Sequence, residues 1–302
     1  MTENALRSLR ALAPERTFAN EPMDRHVSFR AGGPADVLFM PAGAQELAAA
    51  IAIGRQEGLP TYIIGAGTNL IVPSAGVRGL VIAVGEHFAR IEREGTRIRA
   101  QAGAKLSRIA QEALAAGLTG LEFASGIPGS MGGGAAMNAG AYGGELSNCI
   151  IRVQLLVDGR IETVSAAEME FGYRTSMPLK TGAIVLEAEM QLQTDDKDLI
   201  SERMRDLNSR RREKQPLELP SAGSTFKRPE GYFAGALIEQ AGLKGLSVGG
   251  AQVSEKHAGF IVNKGGATGD DILALIRLVQ QRVFEHSGVR LEREVRVLGE
   301  EA

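Results

Sequence analysis

The sequence predicts an α+β protein, with two α/β lobes followed by a separate C-terminal lobe. Three observations carry this. Apolar residues recur at helical spacing in several stretches, separated by short runs of β-forming residues. Residues 150–192 switch to alternation around an Asp158-Gly159 turn, the pattern of antiparallel strands. Composition then shifts sharply at Thr194-Asp-Asp-Lys-Asp198, which places the domain boundary there. The expected division is residues 1–194, in subdomains of roughly 1–85 and 86–194, then residues 195–302.

Leu6, Leu9 and Leu12 predict a short opening helix ended by Pro14. A strand over Asp36–Met40 precedes a helix over 44–57, with Leu47, Ala50, Ile51 and Gly54 on one face and Gly58 as its stop. Strands are expected at Thr61–Ile64, Leu70–Val72 and Leu80–Val84, and a hairpin over 91–98 turning at Glu94-Gly95. A helix over about 105–116 buries Leu106, Ile109, Ala110 and Ala113. After the alternating strands comes a polar helix with Ile200, Met204 and Leu207 inward. It ends in Arg210-Arg-Arg-Glu-Lys214, read as a solvated helix end. The tail predicts a helix over Phe233–Ala241, strands near Ala251–Val253 and Phe260–Val262, and a long helix from Asp270 capped by Thr268 and Asp271. A closing strand alternates Leu291, Arg293, Val295 and Val297 with Glu292, Glu294 and Arg296.

Composition excludes several classes. With 34 basic and 36 acidic residues, a net charge of −2 leaves no electrostatic footprint for nucleic acid. No run of 18 apolar residues exists, so no membrane insertion is expected. The first residues lack the apolar core of a signal peptide, and the single Cys149 fits a reducing cytoplasm. Histidines 26, 87, 257 and 286 show no metal-ligand spacing, so no metal is expected.

One stretch organises the rest: residues 126–144 hold eight glycines and no charge. Glycine lets bare backbone approach a ligand, at an entropic cost to folding. Exposed N–H groups in such a loop form a concavity suited to a phosphate or pyrophosphate. Ile127, Met131, Met137 and Tyr142 argue against a flexible linker, which is polar and Ser-rich. A second loop, Ile64-Gly-Ala-Gly-Thr-Asn-Leu70, follows a strand but lacks the third glycine of a Rossmann fingerprint. Pro73 and Gly76 also forbid the helix such a fingerprint opens. Two such loops suggest a dinucleotide clamped from two sides.

The remaining polar motifs are undiagnostic singly. Together, Ser28-Phe-Arg-Ala-Gly-Gly33, residues 64–69, Gly126-Ile-Pro-Gly-Ser130 with 137–144, Tyr173-Arg174, Gly223-Ser-Thr-Phe226, His257-Ala-Gly-Phe-Ile-Val-Asn263 and Arg293-Glu-Val-Arg296 closely resemble the UDP-N-acetylenolpyruvoylglucosamine reductase family. The resemblance runs from about Phe18 to Gly299. Departures are Met131 in place of a branched aliphatic, Thr68 where Ser is common, and an extra Gly134. The short span from Tyr173 to Ser224 resembles the family's second type, without an inserted substrate-capping loop.

The resemblance implies an FAD-binding fold of the vanillyl-alcohol oxidase type with a C-terminal substrate domain. It implies NADPH as reductant and reduction of UDP-N-acetylglucosamine enolpyruvate to UDP-N-acetylmuramate. Implied FAD contacts are Gly65, Ala66, Gly67, Thr68 and Asn69, then Gly126, Ile127, Pro128, Gly129, Ser130, Gly132, Gly133, Asn138, Ala139 and Gly140. Ser224 is implied as proton donor to C2 of the reduced enolpyruvyl group, with Arg174 and Glu294 stabilising the enolate. Tyr173, Lys227 and Arg228 are implied on the substrate, the last two for its diphosphate by motif position and charge. Another FAD-dependent oxidase or dehydrogenase of this fold is the alternative. Many such oxidases hold flavin covalently through His or Cys, and neither loop contains one. A flavin-binding sensor without turnover is the non-enzyme alternative.

Overall fold

The computed structural model describes residues 3–300. It forms two compact units. The first comprises Met1–Phe18, Leu38–Ala66 and Leu80–Arg211; the second comprises Ala19–Val37, Gly67–Gly79 and Arg212–Ala302.

In the first unit, helix Ala44–Gln56 buries Leu47, Ala50 and Gly54, and strand Thr61–Ile64 pairs in parallel with Leu80–Ala83. Beyond these lies a five-stranded antiparallel sheet in the order Arg160–Ser165, Ile150–Val157, Ile184–Gln191, Arg97–Gln101, Ile91–Glu94. Side chains alternate across a strand. Ala188 and Met190 therefore join the core with Ile98, Ala100 and Val153, while Glu187 and Glu189 face the opposite side with Arg99 and Arg152. Helix Leu106–Ala115 seals the core with the four residues its spacing predicts, Leu106, Ile109, Ala110 and Ala113. The Asp158-Gly159 turn takes positive φ at both residues, 47° and 80°, the geometry of a two-residue hairpin loop.

In the second unit, helix Gly269–Ser287 buries Ile272, Leu275, Ile276, Val279 and Val283 and packs on a three-stranded antiparallel sheet ending at Ile261–Asn263. Its capping box forms as expected: Asp271 N–H donates to Thr268 Oγ1 at 3.1 Å and Thr268 N–H to Asp271 Oδ2 at 2.9 Å.

Four expectations change. The compact units do not divide at residue 194: Ile200 and Met204 of helix Lys197–Lys214 lie in the first core. Burial of that stripe outweighs the compositional break that precedes it. The stretch 126–144 is not loop throughout, since Met131–Ala136 is helical. The first hairpin turns at Gly95-Thr96, one residue later than expected, with Gly95 at φ 59°. Residues 291–297 do not form a continuous strand; only Arg296–Val297 is regular, parallel to Leu70–Ile71. Among the described residues no helix is long and apolar enough to cross a membrane.

Candidate active site

The glycine stretch is fastened to the first core by backbone bonds. Leu106 N–H donates to Gly129 O at 3.0 Å, Met131 N–H to Ala104 O and Gly132 N–H to Ala102 O, both at 2.8 Å. A Cβ on Gly132 would stand 2.9 Å from that of Ala102, so the residue is bare because two backbones touch. Ile127 and Ala139 are half-buried and pack against the first core. Asn138, 1% exposed at φ 44°, donates through Nδ2 to Gly172 O and accepts at Oδ1 from Ser147 N–H. Its side chain staples the stretch to neighbouring turns.

Ser130 behaves differently. Its Oγ is buried and makes no hydrogen bond within the chain. A Cβ on Gly65 would lie 2.6 Å from that oxygen and 3.9 Å from Gly133 N. The turn at Gly65 therefore lies directly over the first turn of helix Met131–Ala136. An orphaned hydroxyl beside bare backbone suits a ligand oxygen, because a buried polar group without a partner is costly. This corner of the first unit fits the phosphate-bearing part of FAD.

Arg174 belongs to the same framework. Gly172 and Thr175 close a tight turn by mutual backbone bonds of 3.0 and 3.3 Å, with Tyr173 and Arg174 at its tip. Ser176 Oγ donates to Ala136 O at 2.6 Å and Arg174 Nη2 to Gly140 O at 3.2 Å, tying the turn to the glycine stretch. Arg174 sits at φ 56° and Tyr142 at φ 53°. Such strain in non-glycine residues persists only where surroundings hold it, and functional sites collect it.

The second unit brings Ser224 and Glu294 together. Ser224 is exposed, between Gly223 at φ 77° and fully buried Thr225. Thr225 N–H donates to Gly259 O at 2.9 Å, its Oγ1 accepts from Ile261 N–H at 3.1 Å, and its carbonyl accepts from Glu294 N–H at 2.9 Å. Asn69 Nδ2 donates to Glu294 O at 3.2 Å, and Arg296 N–H donates to Asn69 O at 3.0 Å. Asn69, expected at FAD, thus also holds the backbone of 294–296. Gly67, at φ 64°, lies so close to His26 O that a Cβ would collide with it. Ser28 N–H donates to Gly67 O at 3.0 Å while Ser28 Oγ is buried without a partner. In the sequence, Ser28 is marked only by its place in the Ser28–Gly33 motif. Lys227 is paired with Glu292, and Arg228 stacks over the exposed Phe233 ring at 4.0 Å. Arg174 lies in the first unit and Ser224 and Glu294 in the second.

Residues 215–298 match the C-terminal domain of UDP-N-acetylenolpyruvoylglucosamine reductase, and residues 35–165 match an FAD binding domain. The chain is 49% identical to the UDP-N-acetylenolpyruvoylglucosamine reductase of Alkaliphilus oremlandii over 98% of both chains. It belongs to the UDP-N-acetylenolpyruvoylglucosamine reductase family. The enzyme of that name from Caldanaerobacter subterraneus is 50% identical, over 99% of this chain and 100% of that one. The crystal structure of the Thermus caldophilus reductase superposes with a TM-score of 0.80 at 36% identity, covering 93% of this chain and 97% of that one. Phl p 4.0202, a glucose dehydrogenase, shares the fold alone, with a TM-score of 0.50 at 14% identity over 65% of this chain and 45% of that one. The family membership and FAD-binding fold expected from the motifs are those found.

Proposed function

We propose that the protein reduces UDP-N-acetylglucosamine enolpyruvate to UDP-N-acetylmuramate for peptidoglycan precursor synthesis, as an NADPH-dependent FAD enzyme. Near-full-length identity of about half to the reductases named above carries the reading. FAD, when bound, relays a hydride from NADPH to the enolpyruvyl group.

We assign the phosphate cradle to Gly65, Ser130 and Gly133 of the first unit. Ser224 gives a proton to C2 of the reduced substrate. A serine hydroxyl is a weak acid, but an enolate is a strong base, so a positioned donor suffices. Arg174, always charged, holds the substrate carboxylate and stabilises charge moving onto it. A protonated Glu294 donates a hydrogen bond to the same group. Tyr173 and Arg228 are assigned to the substrate; Lys227 serves there only by exchanging its partner Glu292. Action in the cytoplasm follows from the same reading, since NADPH is a cytoplasmic reductant.

One assay tests the reading: NADPH oxidation by FAD-loaded protein with and without the enolpyruvyl substrate. Substrate-dependent oxidation with a product two hydrogens heavier is expected. A yellow protein that consumes no NADPH on substrate, or passes its electrons only to oxygen, overturns it.

A further inference from the structure

Between residues 292 and 298 the backbone changes partner, and Glu294 sits at the change. Glu292 O accepts from Lys227 N–H at 2.8 Å and Glu294 N–H donates to Thr225 O at 2.9 Å, both bonds to the segment that follows Ser224. Two residues later the bonds go elsewhere. Arg296 N–H donates to Asn69 O at 3.0 Å, and Leu298 N–H to Ile71 O at 2.9 Å. A segment that crosses from one pairing partner to another needs a donor from outside the ladder at the crossing. Here the Asn69 side chain supplies it: Nδ2 donates to Glu294 O at 3.2 Å, across 225 positions of sequence.

Asn69 is itself held. Gly67 O accepts from Ser28 N–H at 3.0 Å, and no side chain fits at Gly67 because His26 O lies against it. Leu70 and Ile71 pair in parallel with Arg296 and Val297. All these residues belong to the second unit. The Glu294 main chain is therefore fixed on both sides, its N–H by Thr225 and its C=O by a side chain of the 64–69 loop. With the main chain fixed, the carboxyl is left only its own side-chain rotamers. Placement matters, since a shift of about 1 Å in a reacting group can cost about 10²-fold in rate.

We propose that Asn69 is a positioning residue for Glu294: its side-chain amide, acting on the Glu294 carbonyl, sets where the carboxyl meets the substrate. The proposal rests on the reading that Glu294 serves the substrate half-reaction. Thr225 holds the other side through main-chain atoms that no substitution removes, so Asn69 is the point at which a side chain controls the acid.

The test is a double-mutant cycle on the FAD-loaded enzyme. N69A, E294Q and the pair N69A/E294Q are followed by stopped flow in each half-reaction at saturating FAD. N69A slows flavin reoxidation by substrate about 10-fold to 100-fold more than it slows flavin reduction by NADPH. The main-chain bond from Arg296 to Asn69 survives the substitution, so the fold is kept. N69A/E294Q reoxidises no slower than E294Q, because a residue acting through Glu294 adds nothing once the carboxyl is gone. Hydrogen exchange in the flavin-free protein reads the geometry without turnover: the Glu294 amide exchanges faster in N69A than in wild type. N69L, similar in size but without the amide, behaves as N69A and replaces it in every measurement should N69A not fold. Wild-type reoxidation in N69A or N69L overturns the proposal. So do losses that multiply in the double variant, or two half-reactions slowed alike, which mark a general structural role. An E294Q enzyme of full activity overturns the Glu294 assignment and this proposal together, whereas an impaired E294Q beside an unaffected N69A overturns the proposal alone.

Discussion

The backbone amide of Glu294 donates to the carbonyl of Thr225 at 2.9 Å, so the carboxyl-bearing residue is anchored on the one that follows Ser224. Thr225 is fully buried and holds Gly259 and Ile261 as well. The proposed proton donor and its acidic partner therefore share one rigid support. Sites carried on such supports hold geometry better than free loops.

Thr225→Val removes the Oγ1 acceptor and strands the Ile261 amide in the core. A stability loss of about 1–3 kcal/mol is expected by chemical unfolding, with most of it restored by Thr225→Ser. Equal stability of the valine and serine variants would remove the hydroxyl from this role.

Ser224→Ala leaves flavin reduction by NADPH intact and slows flavin reoxidation by substrate. Loss of a general acid typically costs about 10²–10⁴-fold. Ser224 is exposed, so stability is unchanged. Stopped-flow traces with both half-reactions slowed alike would point instead to a binding defect.

Glu294 and Glu292 were equivalent by alternation, and the structure separates them. Glu292 has a side chain 71% exposed and pairs with Lys227. Glu292→Gln should change stability by no more than about 1 kcal/mol, with near-normal turnover. Glu294→Gln should impair the substrate half-reaction, because an amide does not exchange a proton as a carboxyl does. Turnover of the two single variants decides; the reverse pattern would reassign the acid.

Gly65→Ala places a methyl 2.6 Å from the orphaned Ser130 hydroxyl and over the first turn of helix Met131–Ala136. Flavin content after purification should fall sharply while the second unit remains folded. Undiminished FAD retention would move the cradle elsewhere.

Glu122 braces the segment leading into the glycine stretch. Burial alone raises its pKa, but hydrogen bonds from Thr119 Oγ1 at 2.7 Å, Gly120 N–H at 2.8 Å and Arg203 Nε at 3.0 Å more than offset this and lower it. A depressed folded pKa stabilises the fold above the ordinary carboxylate value, and the contribution is lost as pH falls through the folded value. Glu122→Gln should therefore be less stable than wild type at pH ~7, with the gap narrowing as pH falls below the ordinary carboxylate value. A stability gap independent of pH would assign the effect to shape rather than charge.

Local sequence determined what neighbouring residues decide among themselves. The Thr268–Asp271 cap, the Asp158-Gly159 hairpin and the buried faces of helices Leu106–Ala115 and Gly269–Ser287 follow from side-chain spacing and backbone preference within a few residues. The glycine stretch announced close backbone approach for the same reason, since only glycine tolerates it. Tertiary structure alone decided which polar groups are left wanting a partner. Helix spacing put Arg211 in a solvated run, yet Gly126 and Asn208, far along the chain and one turn back, enclose it. Residues 291–297 had the alternation of a strand, but their backbone bonds go to Thr225 and Asn69, which break the ladder and set Glu294 apart from Glu292. Periodicity reports a residue's own face; burial and pairing are set by segments brought in from more than 60 residues away, whose arrival no local pattern encodes.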